Sequence, residues 1–294
     1  MKIIVDSLCD ITQDEAAALG IWILPGGVSL AGESFLDGDS RIDGASFLEG
    51  VPISSEALYE RMEQCKELPK TTHVTPEAYI IAFQKAFEAG EDTVLCITGS
   101  SILSGTFQSV TLARSMQSPE LQARIHIFDS MTGTIGEAIL VYTAQLLNAR
   151  GKALPDILQA LDALKPRIRT CATIGDLKYL VMGGRLPKLG ASVGTLLHLS
   201  PVVHLADGQA KMAGVCRGKH KVLDWFANEL RAHAPDPDYP MVFGHAHAIE
   251  QVAQLQAEME NRSLTLSDKR QLEIGSVVGS HIGPGSYGVA WVMK

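Results

Sequence analysis

Short β-branched runs alternate along this chain with stretches whose apolar positions recur at helical spacing. Ile3-Ile4-Val5 reads as a buried strand. Residues 12–19 follow as a helix, with Thr12 at its N-cap and Glu15 three positions on, the pattern of a capping box. A second helix starts at Ser54 or Ser55 and reaches about Lys66. A third is capped by Thr75, carries Pro76 at its first position and ends at Gly90. Residues 93–98 then read as a strand, a helix opens near Gly105, residues 124–128 form a strand, and residues 134–149 form a helix. Strands that alternate with helices of this length predict a largely parallel sheet covered on both faces.

The texture changes after Gly151-Lys152-Ala153-Leu154-Pro155. A helix over 155–164 is stopped by Pro166, and residues 168–174 form a strand. Gly183-Gly184-Arg185-Leu186-Pro187 reads as a turn between helices. Residues 201–205 and 209–216 flank Asp207-Gly208, a hairpin signal because both turn positions of that type tolerate positive φ. A helix over 219–232, a strand over 240–243, a helix over 249–260 and a final strand complete the pattern. The expected architecture is two α/β domains, residues 1–160 and 161–294, with a mainly parallel sheet in the first.

At 294 residues the chain is long enough to bury a core in each half, and 46% hydrophobic with 20% charged residues describes a folded protein. Lys and Arg number 25 against 33 Asp and Glu, a formal charge of −8, and no basic cluster stands out. That balance argues against a nucleic acid partner, which would need a positive face. No apolar window is long enough for a transmembrane segment. The start Met1-Lys2-Ile3-Ile4-Val5-Asp6 meets an acid too early for a signal peptide. Cys9, Cys65, Cys96, Cys171 and Cys216 are odd in number and widely spaced, as expected of reduced thiols in a cytoplasmic protein.

Candidate chemistry collects where strands should end. Lys70-Thr71-Thr72-His73-Val74-Thr75-Pro76 reads as a loop entering a helix, and Thr98-Gly99-Ser100-Ser101-Ile102-Leu103-Ser104-Gly105-Thr106 runs from a strand into another. In an open α/β sheet such junctions form the ligand crevice, and their free N–H groups favour an anion. The same hydroxyls would also be there as ordinary caps and turn residues. Asp129 follows a strand in the same way, and an acid at a helix start needs no ligand to explain it. Gly183-Gly184 can present Arg185, a permanently charged fork of donors. Near the end, His281 sits among five glycines between Glu273 and Val289. That run includes a literal G-x-G-x-x-G, Gly283 to Gly288, but too little chain follows for the helix and strand of a dinucleotide site. His245 and His247 lack the partners of a metal site, and neither a metal nor another cofactor is expected. Neither a nucleotide-phosphate loop nor a G-x-S-x-G nucleophile elbow is expected, so anion capture fits better than catalysis by the chain alone.

Taken in order, Val5-Asp6-Ser7-Leu8-Cys9-Asp10-Ile11-Thr12, Lys70-Thr71-Thr72, residues 100–109, Asp129-Ser130, Tyr179-Leu180-Val181-Met182-Gly183-Gly184-Arg185 and the closing glycine run resemble the DegV family of bacterial proteins across nearly the whole chain. The resemblance implies two α/β domains enclosing a long-chain fatty acid. It also implies a non-catalytic role, as in the lipid-binding subunits of bacterial fatty acid kinase, where a separate kinase phosphorylates the bound carboxylate for phospholipid synthesis. By that resemblance the carboxylate meets Thr71 or Thr72, a serine among Ser100, Ser101 and Ser104, and His281, with Arg185 near the same end. Where the family commonly continues Ser-Gln-Pro after Thr71, this chain has Thr72-His73-Val74. The expected tail lining is drawn from Ile80, Ile81, Phe83, Phe87, Leu196, Leu197 and Leu199, at least half of which are expected to be ordinary core. The alternative is a small-molecule hydrolase or transferase using Ser101 or Ser104 with His281, which needs a serine–histidine contact and an orienting acid.

Overall fold

The computed structural model describes residues 1–39, 41–42, 45–46, 48–186, 199–266 and 268–294. In the first half, four parallel strands lie in the order Ile125–Asp129, Val94–Thr98, Lys2–Asp6, Trp22–Leu24. Their side chains alternate between two apolar layers, as the period of a strand requires. Ile4, Cys96 and Leu24 pack with Tyr79 and Phe83 of helix Pro76–Glu88. Ile3, Val5, Leu95 and Ile97 pack on the other side with Ile139 of helix Thr134–Ala149. A parallel sheet covered on both faces is therefore present, and its strands are nearly continuous hydrophobic runs for that reason.

A second, smaller sheet orders Pro52–Ile53, Glu33–Asp37, Gly27–Leu30 and Lys70–Thr72. The segment carrying Thr71 and Thr72 is thus an edge strand, antiparallel to Gly27–Leu30, and not the loop expected from its polarity. An edge strand half open to solvent needs no apolar run, which is why three polar residues can form one.

The second half is built on six strands in the order Gln209–Cys216, Ser200–Ala206, Ile168–Thr173, Tyr287–Val292, Met241–His245, Lys269–Glu273. All pairs are antiparallel except the last. Asp207 and Gly208 turn the first hairpin with φ of 51° and 75°. Helices Lys219–Ala232 and Ile249–Asn261 cover one face through Phe226, Val252 and Leu255. Helix Thr134–Ala149 lies against the other face, so most of its length is apolar and buried between the two large sheets. Helix Leu154–Leu164 spans the 160/161 break and joins the halves. Among the described residues no helix is long and apolar enough to cross a membrane.

Candidate functional site

A cavity opens where the three sheets meet. A water molecule's centre could range over about 160 Å³ of it, far more than the 10–15 Å³ or so that one water fills. Its wall is mostly apolar, with Leu8, Ile135, Ile174, Val203, Leu205 and Val277 among the contributors. Thr71, Thr72, His73, Ser104, Arg185 and His281 bring polar groups to that wall.

The Thr71 hydroxyl and His281 Nε2 lie 2.8 Å apart, joining the edge strand Lys70–Thr72 to the last turn of helix Ser276–Ile282. The glycine run around His281 was expected to act as loop, yet Ser276–Ile282 is helical, with two glycines bounding it and one inside. Burial, reinforced by the positive charge of Arg185, lowers the His281 pKa from 6.5 to about 4. The imidazole is therefore neutral at physiological pH, and its buried Nδ1 has no hydrogen-bond partner. A neutral ring carries one proton. Nδ1 is unpartnered in either tautomer; with the proton on Nε2 the ring donates to Thr71 Oγ1. The Thr71 O–H is then free to donate into the cavity.

Arg185 is the one permanently charged residue of the described wall. Its Nε donates to the Leu103 carbonyl at 3.1 Å and its Nη1 to the Gly183 carbonyl at 2.6 Å. Burial lowers its pKa below the usual guanidinium value, yet the group stays charged because guanidinium is never deprotonated in this setting. The turn that presents it runs hard against the imidazole. A Cβ on Gly183 would stand 2.5 Å from His281 Nδ1, so only glycine lets the two approach.

Ser104 borders the cavity, its hydroxyl 3.0 Å from Thr106 Oγ1 and accepting from the Thr106 N–H. Ser100 is fully buried away from the wall, where its hydroxyl donates to the Gly208 carbonyl at 2.6 Å and ties this loop to the hairpin. Ser101 also stands off the wall, its N–H on Asp129 Oδ1 at 3.3 Å. Asp129 accepts the Met131 N–H as well and so serves a turn. The structure thus brings together Thr71, Thr72, Ser104, Arg185 and His281 and leaves Ser100 and Ser101 outside. Thr72 and His73 are exposed, so the polar end of the cavity reaches solvent.

The expected tail lining is corrected. Ile80, Phe83 and Phe87 belong to the packing between helix Pro76–Glu88 and the parallel sheet, Ile81 and Leu199 are absent from the wall, and Leu196 and Leu197 lie outside the described residues. Helical apolar spacing marks a core face and cannot say which cavity, if any, a residue meets. Among the described residues no group of three His, Cys, Asp or Glu is arranged to hold a metal.

For the hydrolase alternative, His281 Nε2 is engaged by Thr71 and Nδ1 meets no orienting acid, so the described contacts contain no triad. One sequence expectation is corrected here: Gly190-Ala191-Ser192-Val193-Gly194 does match G-x-S-x-G. It lies outside the described residues.

The family model described as "Uncharacterised protein, DegV family" matches residues 1–294. A DegV domain-containing protein of Deinococcus radiodurans is 30% identical over 99% of this chain and 97% of its own. A Thermus thermophilus DegV family protein, solved in a study of its fatty acid binding, is 28% identical and covers 100% of this chain and 99% of that one, with a TM-score of 0.85. The Fatty Acid Kinase (Fak) B3 protein of Streptococcus pneumoniae, loaded with linoleic acid, covers 100% of this chain and 99% of that one at 22% identity and a TM-score of 0.81, a likeness of fold alone. The chain belongs to the DegV family.

Proposed function

We propose, from its place in the DegV family and the form of its cavity, that this protein binds a long-chain fatty acid between its halves, residues 1–160 and 161–294, and presents the carboxylate to a separate kinase. The observation that carries the reading is an apolar cavity with a neutral histidine–threonine pair and one fixed guanidinium on its wall. A carboxylate accepts and carries negative charge, which is what a free hydroxyl proton and a guanidinium take up. Its tail supplies most of the affinity. At ~0.8 kcal/mol per buried methylene, a tail of ~14 methylenes contributes on the order of 11 kcal/mol before the costs of association. Charge-assisted contacts at the head add roughly 1.5–3 kcal/mol each and decide which end points outward.

Presentation to a kinase is supported by the exposure of Thr72 and His73 beside the head-group pair, which leaves the carboxylate end reachable. Five free thiols, four of them buried, support a cytoplasmic setting.

Mass spectrometry of the purified protein, native and then denatured, tests the ligand. The expected result is an excess mass released as free fatty acid. A bare protein that also takes up no added fatty acid contradicts the reading and returns the hydrolase or transferase alternative, with Ser104 the first residue to substitute. For the kinase step, a lysate given ATP and hydroxylamine should form a fatty hydroxamate only when this protein is present. Formation at the same rate without it removes that role.

A further inference from the structure

The helix that carries His281 is held from the opposite half of the chain. The Gly275 N–H donates to Asp10 Oδ1 at 2.8 Å, and the Ser276 N–H donates to Asp37 Oδ1 at 2.6 Å. Just before them, the Ile274 carbonyl accepts the buried Tyr59 hydroxyl at 2.7 Å. The second Asp10 oxygen accepts the hydroxyl of Thr134, itself part of the cavity wall. At the far end of the same helix His281 meets Thr71.

The first N–H groups of any helix need partners. Gly275 supplies no side-chain cap, so the partners must come from elsewhere. A single Ser or Asn would suffice for that, at no electrostatic cost. Here two nearly fully buried carboxyls crowd one helix start, and each destabilises the other's charged form. Capping alone does not account for the pair. Geometry does: seven residues span roughly 10 Å, so a tilt of roughly 10° at the clamp displaces the imidazole by more than ~1 Å and breaks its contact with Thr71.

We propose that Asp10 and Asp37 are positioning residues of the head-group site, clamping the start of Ser276–Ile282 so that His281 stands against Thr71. The effect on ligand rests on the fatty acid reading; the effect on His281 does not.

The test compares Asp10→Ala, Asp37→Ala and Asp37→Asn with the parent by NMR titration of the His281 ring in ligand-free protein. Palmitic acid and hexadecanol binding are measured alongside. In the alanine variants the His281 pKa should rise from about 4 toward 6.5 as the ring leaves its buried seat beside Arg185. Acid binding should weaken by about ten-fold or more, with alcohol binding less affected. Asn keeps an accepting oxygen and should restore most of both. Folded alanine variants whose His281 titrates as in the parent overturn the proposal. If the alanine variants do not fold, Tyr59→Phe decides, since it removes only the hydroxyl on Ile274. A smaller rise of the His281 pKa supports the clamp, and an unchanged titration overturns it. A parent that binds no palmitate defeats the fatty acid reading, while the ligand-free titration still decides the role of the two acids.

Discussion

His281 and Asp6 show how burial sets protonation in opposite senses around this site. Burial holds the imidazole neutral, and it pushes the Asp6 carboxyl up to about 7 from 3.8, even though N–H groups of Gly99 and Leu8 pull the other way. Between those two values folded Asp6 keeps a proton that the unfolded chain has already released. Its contribution to stability is therefore complete below 3.8 and is lost as pH rises through about 7. His281 runs opposite, its stabilising state present above 6.5 and lost as pH falls through about 4. Asp6→Asn cannot ionise, so the parent's stability relative to this variant should fall by on the order of 4 kcal/mol between about pH 4 and about pH 8. Urea unfolding across that range measures it, and a constant difference would show that Asp6 titrates normally. The sequence marked His281 and Thr71 through family resemblance, but not that Ser100 is consumed by the hairpin at Gly208. That contact spans 108 positions, and no local pattern encodes it.

At the scale of elements, helix Ser276–Ile282 is the part on which the proposed head-group geometry depends. Gly279 lies within it, facing Tyr59, and a Cβ there would stand 2.3 Å from the Tyr59 oxygen. Alanine normally favours a helix over glycine by ~1 kcal/mol. Here the clash falls on a fully buried ring that also holds Ile274, so the helix must shift and the steric effect wins. Gly279→Ala is expected to lower stability by about 1–3 kcal/mol, the usual range of overpacking, and to weaken palmitate binding. Denaturant melts and binding assays would check both, and a more stable variant with unchanged binding would contradict the packing argument. The elements themselves were largely legible. Helix 134–149, the 207–208 hairpin and three of the four parallel strands follow from periodicity and turn chemistry, because each is local and strongly patterned; the short edge strand Trp22–Leu24 was not read from the sequence. The small sheet was not, because strands such as Pro52–Ile53 and Lys70–Thr72 are too short or too polar to carry a pattern. The helical turn under His281 was hidden by its glycines, and tertiary contacts with Asp10, Asp37 and Tyr59 help to stabilise it there.

At the scale of the molecule, two α/β halves share helix Thr134–Ala149 and enclose an apolar cavity between them. Such a space gains little from a small polar ligand and much from a chain of methylenes, which is why the affinity should reside in the tail and the orientation in the head. The central claim is that this cavity takes a fatty acid with its carboxylate on Thr71 and beside Arg185. Calorimetry of delipidated protein with palmitic acid and with hexadecanol, on the parent and on Thr71→Val, tests it most directly. The parent should bind the acid about ten-fold more tightly than the alcohol, and Thr71→Val should erase most of that preference while retaining the fold. Equal affinity of the parent for acid and alcohol, or binding of neither, would contradict the account.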